Sequence, residues 1–171
     1  MDAGPRRRLV FKPIDLDAHA SVCVAFRHDS FLCSFGVDNF FDEAGPGGVD
    51  YIERLRVRTT KFRDGYVHAW HGDEIVGQME MQILDEPRRG YVNLFYLVEE
   101  MRGRGVSGEL QEYAMDFMRR HAVQAAQLSV SPTNARALEF YRKHGWRDLG
   151  ARPGRDNVNL MDVDVPPGSG C

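Results

Sequence analysis

Cysteine is scarce in this chain, because only Cys23, Cys33 and Cys171 occur among its 171 residues. Their number is odd, and their positions lack the short paired spacing of a metal site. We therefore expect reduced thiols in a cytoplasmic protein, with no disulfide framework and no bound metal. Cys23 lies in an apolar pattern typical of a helix, which favours burial over a catalytic role.

Strong net charge and long apolar runs are lacking as well. The formal net charge is -3, which gives no support for a nucleic-acid partner. No apolar run approaches the roughly 20 residues that cross a bilayer. The N-terminal segment MDAGPRRRLVF is basic but lacks the apolar stretch of a signal peptide. We expect neither a nucleic-acid nor a membrane partner.

The composition that is present is typical of one soluble domain. Hydrophobic residues make up 43% and charged residues 27% of the chain, which is the balance of a globular protein. No repeat or linker interrupts the sequence, so we predict a single domain over residues 1–171. The segment PPGSGC at 166–171 is predicted to be a loose tail.

Hydrophobic periodicity predicts six strands and four helices. The strands are predicted at residues 7–13, 66–71, 74–84, 91–98, 126–131 and 157–165. One helix is capped by Asp15 or Asp17, and the other three cover about 49–62, about 105–120 and about 133–145. Helices and strands in this order predict an α/β domain with a mixed sheet.

The segment RGRGVSGEL places Gly103, Gly105 and Gly108 in the G-x-G-x-x-G spacing of a dinucleotide-binding loop. A Rossmann loop follows its strand directly and needs an acidic residue about 20 positions later. Here four residues separate the strand from the loop, and the next strand ends in Ser131 without an acid. Only 63 residues follow Gly108, too few for the rest of such a domain. The spacing therefore does not predict an NAD site.

The same segment still has the character of an anion site. Glycine lets the backbone approach an anion closely, and the start of a helix presents free N–H groups at its positive end. Arg102 and Arg104 add positive charge. The segment therefore predicts a pyrophosphate site of a different kind.

With its surroundings, this loop resembles the GNAT acyltransferase superfamily. The family signature is Arg or Gln, two residues, Gly, one residue, and Gly or Ala; here Arg102, Gly105 and Ser107 occupy these places, with serine as a small substitute. The preceding FYLVEEMR is similar to the family's fourth strand. A second segment, SPTNARALEFYRKHGW, matches a further family pattern at Asn134, Ala137, Tyr141, Gly145 and Trp146. The two segments lie in the family's order and spacing within residues 91–150.

The resemblance implies an enzyme, an N-acetyltransferase that moves acetyl from acetyl-CoA directly to an amine of a small molecule or peptide. It implies a single α/β domain with a mixed, mostly antiparallel sheet of about six or seven strands and about four flanking helices. Residues 91–150 would form the cofactor half. Acetyl-CoA is the cosubstrate, no metal is expected, and a homodimer is a family habit. The alternative is a non-catalytic module that binds or senses acyl-CoA.

Several cofactor contacts follow from the resemblance. The N–H groups of residues 103–108 would hold the pyrophosphate. The backbone of the preceding strand would pair with the pantetheine arm and supply an oxyanion donor. The cofactor-binding residues are thus Phe95, Tyr96, Leu97, Arg102, Gly103, Arg104, Gly105, Val106, Ser107, Gly108 and Asn134.

Tyr141 is the acid that the resemblance implies for the departing thiolate. Asn134 precedes it by seven residues, so the two side chains would lie on one helix face about 10 Å apart. Asn134 would touch the arm while the phenol reaches the sulfur. The alternatives are a core role for Tyr141 and a helix cap for Asn134.

The general base is left open. Some relatives use a glutamate on the fifth strand, where this chain has Ser129. Glu80 is a second candidate, because a hairpin of strands 74–84 and 91–98 would place it across from Phe95. A solvated strand face is the alternative for Glu80, and water can also carry the proton.

The resemblance implies that the acceptor binds at the segment DSFLCSFGVDNFFDEAG, and in this segment acidic and aromatic residues alternate. This mixture suits a cationic, partly apolar amine, although a folded loop with solvated acids is an equal alternative. Substrate contacts are predicted for Asp29, Phe31, Asn93 and Ser129.

Overall fold

The computed structural model describes residues 9–167. The start of the first predicted strand, Cys171 and most of the predicted tail lie outside these residues. Seven strands form one sheet in the order β1-β2-β3-β4-β5-β7-β6. The strands are β1 Val10–Pro13, β2 Tyr66–His71, β3 Glu74–Leu84, β4 Arg89–Leu97, β5 Ala125–Val130, β6 Arg147–Arg152 and β7 Arg155–Asp164. The β4–β5 pair is parallel and every other pair is antiparallel.

Five α-helices cover this sheet. They are α1 Leu16–Phe35, α2 Phe40–Ala44, α3 Val49–Lys61, α4 Ser107–Arg120 and α5 Ala135–Lys143. The predicted fold class is confirmed, with β6 and the short α2 as the two elements that periodicity did not predict. Within residues 9–167, none of the helices combines the length and the apolar character that crossing a bilayer requires.

Local signals explain where the long helices begin and end. The carboxylate of Asp15 caps α1, since it accepts hydrogen bonds from the N–H groups of Asp17 and Ala18 at 3.1 and 3.2 Å. Gly36 ends the same helix with φ +68°, a left-handed conformation that favours glycine. The α1 helix therefore starts and stops at the capping residues that the sequence offers.

The two faces of the sheet carry separate cores. On β2, the adjacent residues Tyr66 and Val67 are both buried but belong to different clusters, as expected for side chains that alternate across a strand. The Tyr66 cluster includes Cys23 from α1 and Leu55 from α3, whereas the other includes Phe117 from α4. The α1–α3 helices and α4 consequently cover opposite faces.

The sheet opens between β4 and β5. The two strands pair only from Gly90 to Val92. Directly afterwards Asn93 forms a bulge, because Glu80 pairs with Leu94 and Met81 with Val92. A bulge bends a strand and increases its twist. Beyond the bulge β4 diverges from β5, which leaves a cleft at the centre of the sheet.

The bulge also corrects the predicted strand register. Glu80 lies across from Leu94, and Phe95 lies across from Met79, so the predicted partner of Glu80 was wrong by one residue. Turn length and bulges set the register of a hairpin, and the hydrophobic pattern alone does not reveal them.

Gly65 is closely packed beneath the start of β2, and a substitution at this position tests that packing. A Cβ at this position would collide with the carbonyl oxygen of Met81 and lie 2.9 Å from the Phe117 ring. We expect Gly65→Ala to lower the free energy of unfolding by about 1–3 kcal/mol, the usual cost of overpacking. Urea titration measures this change. Gly108→Ala is the matched control, since its Cβ meets nothing nearer than 3.8 Å, and equal stability of the two variants would contradict the packing.

Candidate active site

The loop between β4 and α4 presents a row of unused backbone donors. Gly103 and Gly105 have φ of +74° and +78°, so the chain turns through left-handed conformations before α4 begins at Ser107. Within residues 9–167, the successive N–H groups of residues 103–108 have no hydrogen-bond acceptor. Such a row at a helix start forms a concave anion site.

Arg102 ties this loop to the end of β4. Its Nε donates to the carbonyl oxygen of Leu97 at 2.8 Å, and its Nη2 lies 3.6 Å from the carboxylate of Asp29. The guanidinium also lies over the Tyr96 ring at 5.6 Å. Arg102 is thus engaged with the protein, whereas Arg104 is exposed at the rim of the loop.

The open edge of β4 provides a second set of backbone groups. The carbonyl of Tyr96 points towards β3, since a Cβ on Gly77 would lie 2.6 Å from it. The N–H and C=O groups of successive residues point to opposite sides of a strand, so the N–H and C=O groups of Phe95 and Leu97 point to the cleft. Arg102 uses the Leu97 carbonyl, whereas no strand of the described chain pairs with this edge at Phe95. Phe95 therefore offers an N–H and a C=O to a ligand.

A cavity of about 660 Å³ lies at the cleft, between the end of α1, α2, α3 and the open edge of β4. It brings together predicted residues that are far apart in sequence. Those lining it are Phe31, Glu80, Asn93, Phe95, Ser129, Asn134 and Tyr141. Asp29, Tyr96, Leu97 and the loop residues 102–108 lie outside the lining.

Tyr141 extends from α5 into this cavity. The side chain is buried, its ring centre lies 5.8 Å from that of Phe95, and its hydroxyl forms no hydrogen bond with residues 9–167. In the described chain, every side-chain oxygen that is inaccessible to solvent has a hydrogen-bond partner. The Tyr141 hydroxyl has no partner, so it is accessible and faces the cavity. Burial raises the pKa of Tyr141, which keeps the phenol protonated at neutral pH and able to donate.

Asn134 caps α5. Its Oδ1 accepts a hydrogen bond from the Ala137 N–H at 3.2 Å, and its Nδ2 donates to the Ser34 hydroxyl at 3.4 Å. The helix-cap interpretation is therefore part of its role. Because Asn134 also lines the cavity, its predicted contact with the pantetheine arm is sterically open.

Glu80 lies in a buried polar cluster instead of on a solvated face, because its side chain is only 1% exposed. Its Oε2 accepts hydrogen bonds from the Tyr51 hydroxyl at 2.6 Å and from Gln78 Nε2 at 2.9 Å. Burial, followed by the charge of Glu80, raises the pKa of Tyr51. The Oε1 atom of Glu80 has no hydrogen-bond partner among residues 9–167. Because every solvent-inaccessible side-chain oxygen there has a partner, Oε1 is accessible and faces the cavity.

The polar cluster continues away from the cavity. Gln78 Oε1 lies 2.8 Å from His68 Nε2, and that nitrogen lies 3.5 Å from Cys23 Sγ. Burial lowers the pKa of His68, so the ring is neutral at pH 7. The chain of contacts fixes Gln78, which in turn orients the carboxylate of Glu80.

Cys23 is a buried member of this cluster without nucleophilic character. Burial, and then the charge of Glu80, raises the pKa of its thiol to about 12, so the thiolate is nearly absent up to pH 9. We expect iodoacetamide at pH 8 to label the exposed Cys33 but not Cys23 in the native protein. Peptide mapping by mass spectrometry measures both sites, and the urea-unfolded chain is the control. Comparable native labelling of the two thiols would contradict the burial.

The bulge residue Asn93 is held on three sides. Its Oδ1 accepts hydrogen bonds from Gln82 Nε2 at 2.9 Å and from the Tyr66 hydroxyl at 3.4 Å. Arg27 Nη1 donates to its carbonyl oxygen at 2.8 Å. These bonds use the side chain of Asn93 to fix the bulge, which holds Phe95 at the edge of the cleft.

Ser129 lies on β5 and lines the cavity. Its hydroxyl lies 2.9 Å from the Tyr91 hydroxyl and accepts a hydrogen bond from Arg152 Nη1 at 2.9 Å. Arg152 also lies over the Tyr91 ring at 5.8 Å. Ser129 therefore belongs to a polar cluster on the β5 side of the cavity.

The acids of the predicted acceptor segment are partly engaged within the protein. Asp29 accepts a hydrogen bond from the Tyr96 hydroxyl at 2.5 Å and pairs with Arg102. Asp38 lies 2.7 Å from His28. Asp42 and Glu43 line the cavity. Only half of the acidic side chains on which we based the expectation of a cationic acceptor therefore face the cavity.

Sequence reasoning missed Tyr51 and the arginines around the cavity. Tyr51, Arg54 and Arg58 have the spacing of one helix face, and all three line the cavity. That spacing was visible in the sequence, but the cavity that they face was not. Within residues 9–167, His, Cys, Asp and Glu side chains form no group of three or more that could hold a metal.

Comparison with known sequences matches the chain to a family profile and to a curated protein. The profile of the acetyltransferase (GNAT) family matches residues 37–146. N-alpha-acetyltransferase 30 of Schizosaccharomyces pombe is 31% identical over 58 residues, which is 34% of this chain and 39% of that protein. The chain thus matches about two fifths of the length of this curated relative.

Solved structures share the fold at low identity. The PaiA N-acetyltransferase of Thermoplasma acidophilum, solved in complex with coenzyme A, gives a TM-score of 0.73 at 15% identity over 91% of this chain and 98% of that chain. Naa50 of Arabidopsis thaliana, solved with the bisubstrate analogue CoA-Ac-MVNAL, gives 0.66 at 14% identity over 91% and 97%. Both structures align with nearly the whole of this chain and share its fold.

Proposed function

The chain belongs to the GNAT acetyltransferase family, and we propose that it transfers the acetyl group of acetyl-CoA directly to the nitrogen of an amine. It is an acyltransferase that depends on acetyl-CoA. The observation that carries the proposal is the pairing of two unused backbone surfaces, the N–H row of residues 103–108 and the open β4 edge at Phe95. The first fits a pyrophosphate and the second fits an amide-containing arm.

The residues present fit acetyl-CoA in order along the cleft. With the pyrophosphate at residues 103–108, the pantetheine arm would extend beside Leu97 and Phe95 towards the bulge. Its thioester would then lie in the cavity near Tyr141. The PaiA and Naa50 structures contain coenzyme A or a CoA-derived analogue, which supports acetyl-CoA as the cosubstrate.

Transfer requires one bond to form and one to break. The amine nitrogen attacks the acetyl carbonyl carbon, and the carbon–sulfur bond breaks after the tetrahedral stage. The Phe95 N–H is placed to stabilise the oxyanion, as a fixed dipole in a partly enclosed site. Tyr141 would give its proton to the departing thiolate and regain one from solvent.

The proton that the amine loses needs an acceptor. Glu80 supports this role through its Oε1, which faces the cavity, and through the Tyr51 and Gln78 bonds that hold its other oxygen. A carboxylate in that place takes the proton directly or through one water. Glu80→Gln keeps the size of the side chain and removes the basic oxygen.

The acceptor is proposed to be a small-molecule or peptide amine. The matching relative is an N-alpha-acetyltransferase by name, and Naa50 was solved with a peptide-linked analogue. A panel of amino acids, polyamines, aminoglycosides and short peptides tests the proposal by thiol release from acetyl-CoA. Amine-dependent release with acetylated product supports it. Tight acetyl-CoA binding without release on any amine would favour a sensing module.

A further inference from the structure

One face of α3 directs arginines into the cavity. Tyr51, Arg54 and Arg58 are spaced by three and four residues, which places them on one side of a helix, and all three line the cavity. Arg56 lies between them on another side and pairs with Asp17 at 3.5 Å. Neither Arg54 nor Arg58 has a carboxylate of residues 9–167 within 4 Å of its guanidinium. The α3 helix thus contributes to the cavity wall two guanidinium groups that form no ion pair within residues 9–167.

Arg58 is the more enclosed of these two arginines, because its side chain is half-buried whereas Arg54 is exposed. Burial and then the charge of Glu80 raise the pKa of Tyr66, and the charges of Arg58 and Arg27 act in the opposite direction. Both arginines therefore act electrostatically on the Tyr66 hydroxyl. That hydroxyl donates to Asn93 Oδ1 at 3.4 Å, two residues before the Phe95 edge. Positive charge consequently lies on the wall of the cavity that Phe95 also lines.

The acids that line the cavity form no ion pair with these arginines within residues 9–167. Glu80 is held by Tyr51 and Gln78, and Asp42 and Glu43 are exposed on α2. Arg27 is already used, because its Nη1 binds the carbonyl of Asn93. A guanidinium in a partly enclosed site binds a carboxylate through strong, charge-assisted and often bidentate hydrogen bonds.

We propose, on the basis of the acetyl-transfer function above, that the acceptor is a primary amine with a carboxylate a few bonds from its nitrogen, and that Arg54 and Arg58 bind this carboxylate. A free amino acid supplies this chemistry through its α-carboxylate, and a peptide supplies it through an acidic first residue. In both, the arginines orient the acceptor so that its nitrogen points towards the thioester. They act as binding and positioning residues.

Matched acceptor pairs test this assignment. Each pair consists of a carboxylate and its amide: an amino acid against its amino-acid amide, and a peptide beginning with Glu against the same peptide beginning with Gln. For the wild type we expect kcat/KM to be about 10- to 100-fold higher for the carboxylate member, since a hydrogen bond to a charged group contributes about 1.5–3 kcal/mol. The pair that shows the preference identifies the source of the carboxylate.

Variants of α3 assign the effect to residues. Arg54→Gln and Arg58→Gln should raise KM for the carboxylate acceptor about 10- to 100-fold, with little change in kcat or in KM for the amide. Arg58→Lys should recover part of the loss, because it restores the charge. Arg56→Gln is the matched control on the same helix and should behave as wild type. Melting curves and acetyl-CoA binding confirm that each variant is folded.

The outcomes separate the two claims. Equal use of both members of every pair, a preference for the amide or for a polyamine, or an equal loss in Arg56→Gln would overturn the carboxylate assignment and leave acetyl transfer intact. Failure to acetylate any amine while acetyl-CoA still binds would overturn the proposed function, and the assignment with it.

Discussion

Tyr141→Phe is expected to lower kcat by about 10²- to 10⁴-fold, the usual contribution of a positioned acid. The substitution keeps the ring, its contact with Phe95 and its burial, and it removes a hydroxyl that bonds to no residue of the described chain. The melting temperature should change little for the same reason. The KM for acetyl-CoA should change far less than kcat, because the proton is needed only as the sulfur departs. Steady-state thiol release measures both constants.

Tyr113→Phe is the matched control for that experiment. Tyr113 lies on α4, is stacked on Phe11 at 4.4 Å and donates to the Asp64 carbonyl at 2.7 Å, away from the cavity. Its loss should lower stability and leave kcat unchanged. A Tyr141→Phe variant with wild-type kcat would make water the proton source and Tyr141 a packing residue.

The pH dependence of kcat follows from the raised pKa of Tyr141. Burial moves this pKa upwards from its ordinary value of 10.0, so the proton-bearing form persists across neutral and mildly alkaline pH. The alkaline loss of kcat that belongs to Tyr141 should therefore begin only above pH 10. A fall in kcat centred near pH 7–8 that disappears in Tyr141→Phe would contradict this assignment.

Gly105→Asp is expected to weaken acetyl-CoA binding by more than about 100-fold. The added carboxylate would face the pyrophosphate, and φ of +78° disfavours any side chain at this position. Gly105→Asn carries the same backbone strain without the charge and should lose much less affinity. Isothermal titration calorimetry measures both dissociation constants.

Gly150→Asp is the control for strain alone. Gly150 has φ +85° and, like Gly105, open space around its missing Cβ, but it lies on β6, outside the loop between β4 and α4. This variant should bind acetyl-CoA as the wild type does. Unchanged affinity in a folded Gly105→Asp protein would place the pyrophosphate elsewhere.

Patterns within short segments of the sequence predicted those parts of the site that lie within one segment. The glycine loop and the start of α4 lie within one short segment, and the spacing of Asn134 and Tyr141 follows from helix geometry. The β6 strand was missed because its residues Arg147–Arg152 are mostly exposed and lack alternation. Such an edge strand is defined mainly by its pairing with β7.

The polar interior could not be predicted in the same way. Glu80 looks like a solvated strand residue until Tyr51, which lies 29 positions earlier, is placed against it. Asp29 looks like an acceptor ligand until Tyr96 and Arg102 bind it. Both contacts depend on the crossing of helices over the sheet, which periodicity within one element does not encode.

Hydrogen exchange with acetyl-CoA tests the central claim most directly, because the claim concerns particular backbone N–H groups. Without ligand, the amides of residues 103–108 have no acceptor in the described chain and should exchange fast. Acetyl-CoA should slow exchange at these amides and at Phe95, whereas NAD at equal concentration should not. Exchange at residues 103–108 that acetyl-CoA leaves unchanged at saturation, or that NAD slows instead, would contradict the account.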